Sequence, residues 1–276
     1  EVITDRNGNP VDLRLLELNR AWSRMTGVDP ETARDKLLWG ELSTTLDHSW
    51  LETYARVALQ GEHARFENYA LPADRWLDCY AVPVGERRDG LFAVVFRDIT
   101  ERKRREANAA FLAELTDDFL RLTTAEEITE TIGPKIGTFF GGSRCQFADV
   151  EDGAGAGVTI RALQRTGQPH STPDSTPASG DIFTDELYQA ARSGEIIVIR
   201  DTLHDPRING ERAAAHSIRS YICAPFIKDG QWRFMVSIAS PVPRAWREDE
   251  VELVHELTAR IWLRIERLRA KAALRE

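Results

Sequence analysis

The chain has 276 residues, of which 42% are apolar and 29% charged, and its formal net charge is −8. This length allows two domains of ordinary size, and the composition is that of a folded protein rather than a disordered one. The acidic balance disfavours nucleic acid or an anionic membrane as the main partner. Because no apolar run approaches the roughly 20 residues that cross a bilayer, we expect a cytoplasmic protein without a membrane segment in this stretch.

Three cysteines lie far apart in the sequence, at Cys79, Cys145 and Cys223, and none belongs to a Cys-x-x-Cys pair. They are too few for a disulfide framework, and their spacing does not fit a structural zinc site. We interpret them as small core residues in a reducing compartment, and we expect no metal.

The first hundred residues predict an antiparallel sheet with short helices. Turn residues at 5–10 predict a hairpin, and Asn19 predicts the N-cap of a short helix that ends at Gly27. A longer amphipathic helix is predicted over 49–59. Three runs separated by short turns then indicate an antiparallel meander. These runs are 64–70, 75–84 and 90–97.

The remaining residues predict a long helix followed by a second α+β unit. Residues 99–122 contain no proline or glycine, and their apolar positions have helical spacing. A polar, proline-containing segment at 166–180 predicts a surface loop. The pair Asp229-Gly230 is the strongest hairpin signal in the chain. Further helices are predicted at 125–139, 184–193, 211–217 and from 248 to the end, with strands at 145–150, 158–164, 196–199, 220–228 and 231–240.

Three segments of the first half resemble a PAS domain. NRAWSRMTG at 19–27 is similar to the helix that follows the second PAS strand, and the segment at 61–84 is similar to the three-strand end of the family. FRDITERKRRE at 96–106 is similar to the signature that closes many bacterial PAS domains. The resemblance implies a PAS domain over 1–98. The first strand of the family is missing or incomplete here, so we expect this domain to be truncated at its N-terminus.

Two segments of the second half resemble a GAF domain of bacterial sensor kinases. They are IIVIRDTLHDPRI at 196–208 and the longer segment from IRSYICAPF to EDEVELV at 218–254. The resemblance implies a GAF domain with a long C-terminal signalling helix over 123–276, after a helical linker at 99–122. The expected fold is therefore α+β, with two antiparallel sheets flanked by helices and joined by a long helix.

The two resemblances together imply a sensory input module of a signal-transduction protein. In such proteins, events in PAS and GAF pockets bias helices that lead to an output domain, often a histidine kinase and sometimes a diguanylate cyclase or a phosphatase. The sequence contains no Walker, Rossmann or zinc-protease motif, so we expect no enzymatic activity. His255, in VHELTAR, faintly resembles a phosphoacceptor box, but Ile261 rather than proline follows the basic residue. We interpret His255 as a helix-surface histidine.

Cofactor motifs of the two families are missing from the sequence. The Asn-Cys-Arg motif of flavin-binding PAS domains is missing, and His48 and His63 lack the pattern of a haem ligand. His216 is not followed by the cysteine of bilin-binding GAF domains. Flavin, haem and bilin are therefore not supported, and the cofactor stays unknown.

Aromatic and polar residues of the two units are candidates for pocket walls, and the alternative is that they only pack the cores. The expected PAS walls are Trp39, Trp50, Tyr54, Phe66, Tyr69 and Trp76. The expected GAF site is Phe183, Tyr188, Asp201, His204, Arg207, His216, Tyr221 and Phe226.

Apolar stripes on the linker and on the terminal helix predict a parallel homodimer. The terminal stripe from 251 to 268 has an average spacing of about 3.5 residues, the period of a coiled-coil seam. The alternative is that both stripes pack on their own domain. The expected seam residues are Phe111, Leu115, Phe119, Leu122, Leu257, Ile261, Ile265 and Leu268. Two other functions stay open: a dimerisation or interaction scaffold with degenerate pockets, and a chromophore-binding photoreceptor.

Overall fold

The computed structural model describes residues 1–42, 47–153, 157–165 and 182–274. The chain divides into two compact units, Glu1–Ala107 and Asn108–Glu276. Each contains antiparallel strands flanked by helices, which confirms the predicted α+β class. The surface loop predicted at 166–180 lies outside the described residues.

The first unit begins with a two-stranded hairpin and a helical segment. Strands β1 (Val2–Thr4) and β2 (Pro10–Leu13) pair in antiparallel fashion. The intervening turn is stabilised by the Asp5 carboxylate, which accepts hydrogen bonds from the backbone N–H groups of Asn7 and Asn9, both at 2.8 Å. The helical segment comprises α1 (Arg20–Thr26), α2 (Pro30–Ala33), a π-helical turn (Leu38–Leu42) and α3 (Ser49–Gln60).

A three-stranded meander completes the sheet structure of the first unit. Its strands are β3 (Ala64–Ala70), β4 (Arg75–Pro83) and β5 (Phe92–Asp98), in the order β3-β4-β5. Alternate residues of β4, from Leu77 to Ala81, are buried against the apolar face of α3, because side chains alternate between the two faces of a strand. The core of this unit therefore lies between α3 and one face of the meander.

Helix α4 (Thr100–Arg121) begins two residues after β5. Its start is bound to the meander of the first unit, because the Thr100 hydroxyl accepts a hydrogen bond from the backbone N–H of Trp76 at 3.0 Å. The Lys103 ammonium lies 5.1 Å from the centroid of the Trp76 ring and 2.7 Å from the Glu67 carboxylate. The first turn of α4 is thus held by hydrogen bonding, a cation–π contact and an ion pair.

The second unit contains a five-stranded antiparallel sheet in the order β7-β6-β10-β9-β8. After α4 come α5 (Ala125–Phe139), β6 (Arg144–Gly153), β7 (Gly157–Arg165), α6 (Asp185–Arg192), β8 (Ile197–Ile199), α7 (Gly210–Ala215), β9 (Ser220–Lys228), β10 (Gln231–Ser240) and α8 (Glu248–Ala273). Helix α5 continues through Pro134, and its start is closed by a capping box between Thr124 and Glu127.

This sheet separates two apolar cores. Ile222 and Ala224 of β9 belong to the core that also contains side chains of α4, α5 and α8, which we call the helix-side core. Tyr221 and Cys223, one residue out of phase, belong to the core that contains side chains of α6, which we call the pocket-side core. Alternation along β9 therefore decides which core each side chain enters.

The predicted dimer stripes are corrected by their burial. Within the single chain, six of the eight residues are at most 8% exposed and belong to the helix-side core. The other two, Leu122 and Leu268, are partly buried against the same core. A side chain already covered by its own unit is not available to a partner helix, so the stripes follow the alternative of packing on their own domain. The six residues are Phe111, Leu115, Phe119, Leu257, Ile261 and Ile265.

No helix in the described ranges combines the length and the apolar character that a bilayer crossing needs.

Candidate functional site

A small cavity lies in the pocket-side core of the second unit. Its volume is about 10 Å³, which is room for about one water molecule. Ligand sites for drug-sized molecules occupy roughly 300–1,000 Å³, so the cavity is closed to such ligands in this conformation. The lining residues come from α6, β8, β9, β10 and the segment before α6. They are Phe183, Leu187, Tyr188, Ala191, Ile197, Tyr221, Cys223, Trp232 and Met235.

The polar atoms at the cavity are neutral or already hydrogen-bonded. The Cys223 Sγ lies 3.7 Å from the Met235 Sδ, and the Trp232 Nε1 donates to the Phe234 carbonyl at 2.9 Å. Burial raises the pKa of the Cys223 thiol to about 12 and that of the Tyr221 phenol well above its ordinary value. The site therefore favours an apolar occupant over a charged one.

Three of the eight predicted GAF-site residues line this cavity. Phe183 packs against Tyr221 at 5.3 Å between ring centroids and edge-on against Tyr188 at 6.1 Å. Phe226 lies on the other face of the sheet, 5.7 Å from Trp262 of α8, because it is an odd number of residues from Tyr221 along β9. Its predicted position in the pocket is therefore corrected.

The four predicted polar residues lie away from the cavity walls. The Asp201 carboxylate contacts the Nδ1 of the exposed His204 at 2.9 Å and the Arg219 guanidinium at 3.0 Å. These interactions lower the pKa of Asp201 to about 2. Arg207 pairs with Asp205 at 2.7 Å and donates to a carbonyl of β8.

His216 caps the end of α7, and its backbone carbonyl accepts a hydrogen bond from Arg144. Together with the ion pairs of Asp201 and Arg207, this gives each of the predicted polar residues a structural role. In the part of the chain that the structure describes, no group of three or more His, Cys, Asp and Glu side chains is arranged to hold a metal ion.

The first unit brings three of its six predicted wall residues into one aromatic cluster. Trp50 packs edge-on against Phe66 at 5.6 Å, and Tyr54 lies 5.7 Å from Phe66. Tyr54 also stacks on Phe92 at 4.7 Å. The Trp50 Nε1 is buried and has no hydrogen-bond partner among the described residues. Burial raises the pKa of Tyr54 well above its ordinary value and that of Cys79 to about 12.

The other three residues occupy different places. Tyr69 and Trp76 face each other across β3 and β4, 5.6 Å apart, on the face opposite the core. They cannot be pocket walls, because Leu77 and Cys79 of β4 take the core-facing positions and Trp76 alternates with them. Trp39 is partly buried at the edge of the core and stacks on His48 at 5.3 Å.

Sequence reasoning missed six of the cavity-lining residues, of which Ile197, Cys223 and Met235 illustrate the reason. Each lies on a different strand, and only the pairing of β8 with β9 and of β9 with β10 brings them together. One signal could have found Cys223: it lies two residues after Tyr221 on a predicted strand, so both side chains are expected on the same face. The three missed residues of α6 and the start of β10 are Leu187, Ala191 and Trp232.

The incoming and outgoing helices of the second unit lie side by side and run in the same direction. Asn108 of α4 donates to the backbone oxygen and the carboxylate of Asp249 in the first turn of α8, at 3.4 and 3.3 Å. Farther along, Arg260 donates to the Thr116 hydroxyl at 3.3 Å. Past the end of α4, Arg264 donates to the Leu122 carbonyl at 2.8 Å. Residue numbers rise together along both helices, so the pair is parallel.

Family models match both units of the chain. A PAS-fold model matches residues 11–104, and a GAF-domain model matches residues 123–265. A search of curated proteins returned no match.

Solved structures similar to the second unit share little sequence with it. The GAF domain of a phosphoenolpyruvate-protein phosphotransferase from Coxiella burnetii is 12% identical, with a TM-score of 0.47, over 61% of this chain and 98% of that one. The corresponding Acinetobacter domain is 8% identical, with a TM-score of 0.49, over 60% and 97%. A free methionine-R-sulfoxide reductase from Neisseria meningitidis, in complex with its substrate, is 19% identical, with a TM-score of 0.44, over 61% and 91%.

PAS and GAF domains are sensory, regulatory domains of signalling proteins. The two matches stand in the order that the sequence predicted, with the PAS fold first. Since the GAF model covers more than half of the residues, the chain belongs to the GAF domain family.

Proposed function

We propose that this chain is the cytoplasmic input region of a bacterial signalling protein, and that it relays conformational signals through α4 and α8 to an output domain that follows α8. A histidine kinase of a two-component system is the output that we favour. The observation that carries the proposal is the parallel pairing of α4 with α8 by hydrogen bonds from Asn108, Arg260 and Arg264. The chain itself has a regulatory and not a catalytic role.

The path of the relay follows from the way in which each helix is held. The start of α4 is bound to the meander through Thr100 and Lys103, and its later turns are bound to α8. When α4 is displaced, these hydrogen bonds therefore pull α8 in the same direction. Helix α8 continues for nine residues past Arg264, to Ala273. At 1.5 Å per residue this is about 14 Å beyond the last cross-helix hydrogen bond, enough to reach a following domain.

The proposal includes a parallel homodimer. Because the predicted seam residues are buried in their own unit, the contact would use the apolar side chains that these helices leave exposed. Leu120 of α4 is 78% exposed and Leu263 of α8 is 46% exposed. Both belong to the helices of the relay, so a change in their packing against a second copy would reach the output.

A small apolar molecule is the ligand class that the second unit favours. The walls of its cavity carry no ionised group, because burial keeps Cys223 and Tyr221 neutral. An occupant larger than a water molecule would have to displace wall residues, and this displacement is the event that a sensor would transmit.

The small size of the cavity also favours a second candidate function, an interaction scaffold whose pockets are degenerate. A cavity of about 10 Å³ holds no ligand of drug size. Native mass spectrometry of freshly purified chain, with an absorption spectrum of the same sample, separates the candidates. A stoichiometric additional mass supports the sensor, and a visible absorption band would identify a photoreceptor. Protein of bare mass without colour supports the scaffold.

A fusion series tests the relay itself. The chain would be joined through α8 to the catalytic region of a histidine kinase, with zero to seven residues added at the junction. A helical relay predicts kinase activity that varies with a period of about 3.6 residues, because each added residue rotates the output by a fixed angle. Activity that does not vary with linker length would contradict the relay.

A matched pair of variants localises the effect. Arg264→Met removes the hydrogen bond to the Leu122 carbonyl and should change the activity of the best fusion. Arg267→Met removes a charge from the exposed surface of the same helix and should leave that activity unchanged. Equal effects of both variants would show that charge, and not the cross-helix bond, sets the output.

A further inference from the structure

The segment that leads into α8 contains an ion pair between a partly buried arginine and a buried glutamate. The Arg244 Nη2 donates to the Glu250 carboxylate at 2.5 Å, and Glu250 is only 3% exposed. The second Glu250 oxygen accepts the backbone N–H of Arg247 at 2.9 Å. The Arg244 guanidinium also donates to the Phe140 carbonyl at 2.7 Å and lies 4.5 Å from the centroid of the Trp246 ring. One arginine thus joins the end of α5 to the first turn of α8.

Two hydrogen bonds connect this segment to a wall of the cavity. The Trp246 Nε1 donates to the Ile199 carbonyl at 3.3 Å, and the Arg244 N–H donates to the Arg200 carbonyl at 3.0 Å. Ile199 is the last residue of β8, and Ile197 of the same short strand lines the cavity. A movement of β8 therefore acts directly on Trp246 and Arg244.

The same turn of α8 receives the incoming helix. The Asp249 carboxylate accepts a hydrogen bond from the Asn108 side-chain amide. It also forms an ion pair with Arg247 at 2.9 Å. Asp249 and Glu250 are adjacent, so the bonds from α4 and from the cavity wall meet within two residues of α8. The Glu250 carboxylate also pairs with the Arg247 guanidinium at 3.0 Å. A buried carboxylate must keep such partners, because an unpaired charge in the interior is strongly disfavoured. Glu250 and its two arginines therefore form one ion-paired group at the start of α8.

We infer that Arg244, Trp246 and Glu250 form a latch that couples the state of the GAF cavity to the first turn of α8. The inference rests on the proposed relay and adds the path by which the cavity acts on α8. In this path β8 is the cavity wall that moves, and Trp246 contacts β8 through its hydrogen bond to Ile199. The ion pair of Arg244 with Glu250 carries the movement to the first turn of α8. Displacement of β8 by an occupant shifts the latch and loosens the start of α8, and this is the conformational change that travels to the output.

The test perturbs the cavity without a ligand and reads the response at α8. Ala191 is fully buried on α6 and lines the cavity, so Ala191→Val adds two methyl groups where there is room for about one water molecule. Hydrogen–deuterium exchange measured by mass spectrometry on the complete chain follows residues 248–257. We expect Ala191→Val to raise exchange there by at least about fivefold, the lower range of allosteric coupling.

Trp246→Phe removes the indole donor to Ile199 and keeps most of the aromatic packing. In this background the response to Ala191→Val should fall below about twofold, which leaves little coupling. Trp262→Phe is the matched control. Trp262 lies within α8 and is buried, as Trp246 is buried just before α8, but its Nε1 has no hydrogen-bond partner among the described residues. The control should retain the fivefold response.

Two results would overturn the latch. One is an unchanged response in the Trp246→Phe background, and the other is no response of residues 248–257 to the cavity substitution. If Ala191→Val does not fold, by circular dichroism, Ala191→Cys replaces it as a milder perturbation, because it adds only one heavy atom at the same wall position. This test needs neither ligand nor output domain, so a failed latch leaves the fusion-series result standing, and a failed fusion series leaves the exchange result interpretable.

Discussion

Leu257→Ala distinguishes a core role of α8 from a role as a dimer seam. The Leu257 side chain is 0% exposed and lies in the helix-side core of the second unit. Buried Leu→Ala substitutions cost about 3–5 kcal/mol, as the sum of lost transfer free energy and a residual cavity. We expect the free energy of unfolding of the second unit to fall by about 3–4 kcal/mol, near the lower part of this range, because several neighbouring aliphatic side chains can relax.

The matched control is Leu263→Ala on the same helix. Leu263 is 46% exposed, so roughly half of its apolar area is buried and the expected cost is about 1 kcal/mol. Urea unfolding of the complete chain would be followed by hydrogen exchange of peptides from β9 and β10, which reports the second unit alone. The measurement is repeated at two protein concentrations about fiftyfold apart.

Concentration dependence is the decisive observation. A core residue loses the same free energy at both concentrations, whereas a seam residue loses more at the higher one, where the dimer contributes to stability. Leu263 belongs to the proposed homodimer contact, so its loss should grow with concentration. The reasoning is refuted if the Leu257→Ala loss also grows with concentration, or if Leu263→Ala costs as much as Leu257→Ala at the lower concentration.

Three other predictions concern titration and capping. Because burial raises the pKa of Cys79 and Cys223 to about 12, the folded chain at pH 8 should react with iodoacetamide far more slowly than the urea-unfolded chain. The stability that these neutral thiols contribute should be complete below pH 9 and decline as the pH rises toward 12. Hydrogen bonds with His204 and Arg219 lower the pKa of Asp201 from 3.8 to about 2. Its contribution should therefore be present above about pH 4 and lost as the pH falls toward 2, and thermal unfolding of Asp201→Asn against pH should lack this part of the acid dependence. Thr124→Ala removes the N-cap of α5 and should lower the free energy of unfolding by about 1 kcal/mol in urea, whereas no change would show that the cap is dispensable.

Elements with local signals could be predicted from the sequence. The hairpin between β9 and β10 turns at Asp229 and Gly230, with φ angles of 52° and 73°, the left-handed region that such residues tolerate. Asn19 accepts the Trp22 N–H as the predicted N-cap of α1. Residues 64–70 and 125–139 have the bounds that the pattern predicted, since turns and caps are encoded within a few neighbouring residues.

The site could be predicted only in part, because its walls come from elements that are distant in sequence. Phe226 is as aromatic as Tyr221, and only its odd separation along β9 sends it to the other core. The stripe of α8 shows a similar ambiguity. A spacing near 3.5 residues fits a seam with a second helix, but it also fits the face that a helix of 3.6 residues per turn presents to its own sheet. Burial of Leu257 and Ile261 resolves it.

The division of one sheet between two cores limits how the gene can change. Deleting or inserting a single codon within β9 would exchange the faces of all residues beyond it, so that Tyr221 and Cys223 would trade places with Ile222 and Ala224. Both cores would then be mispacked at once. Insertions and deletions among descendants of this gene should therefore be concentrated outside β9 and β10. Substitutions that keep an apolar residue at each buried position can still be accepted within these strands.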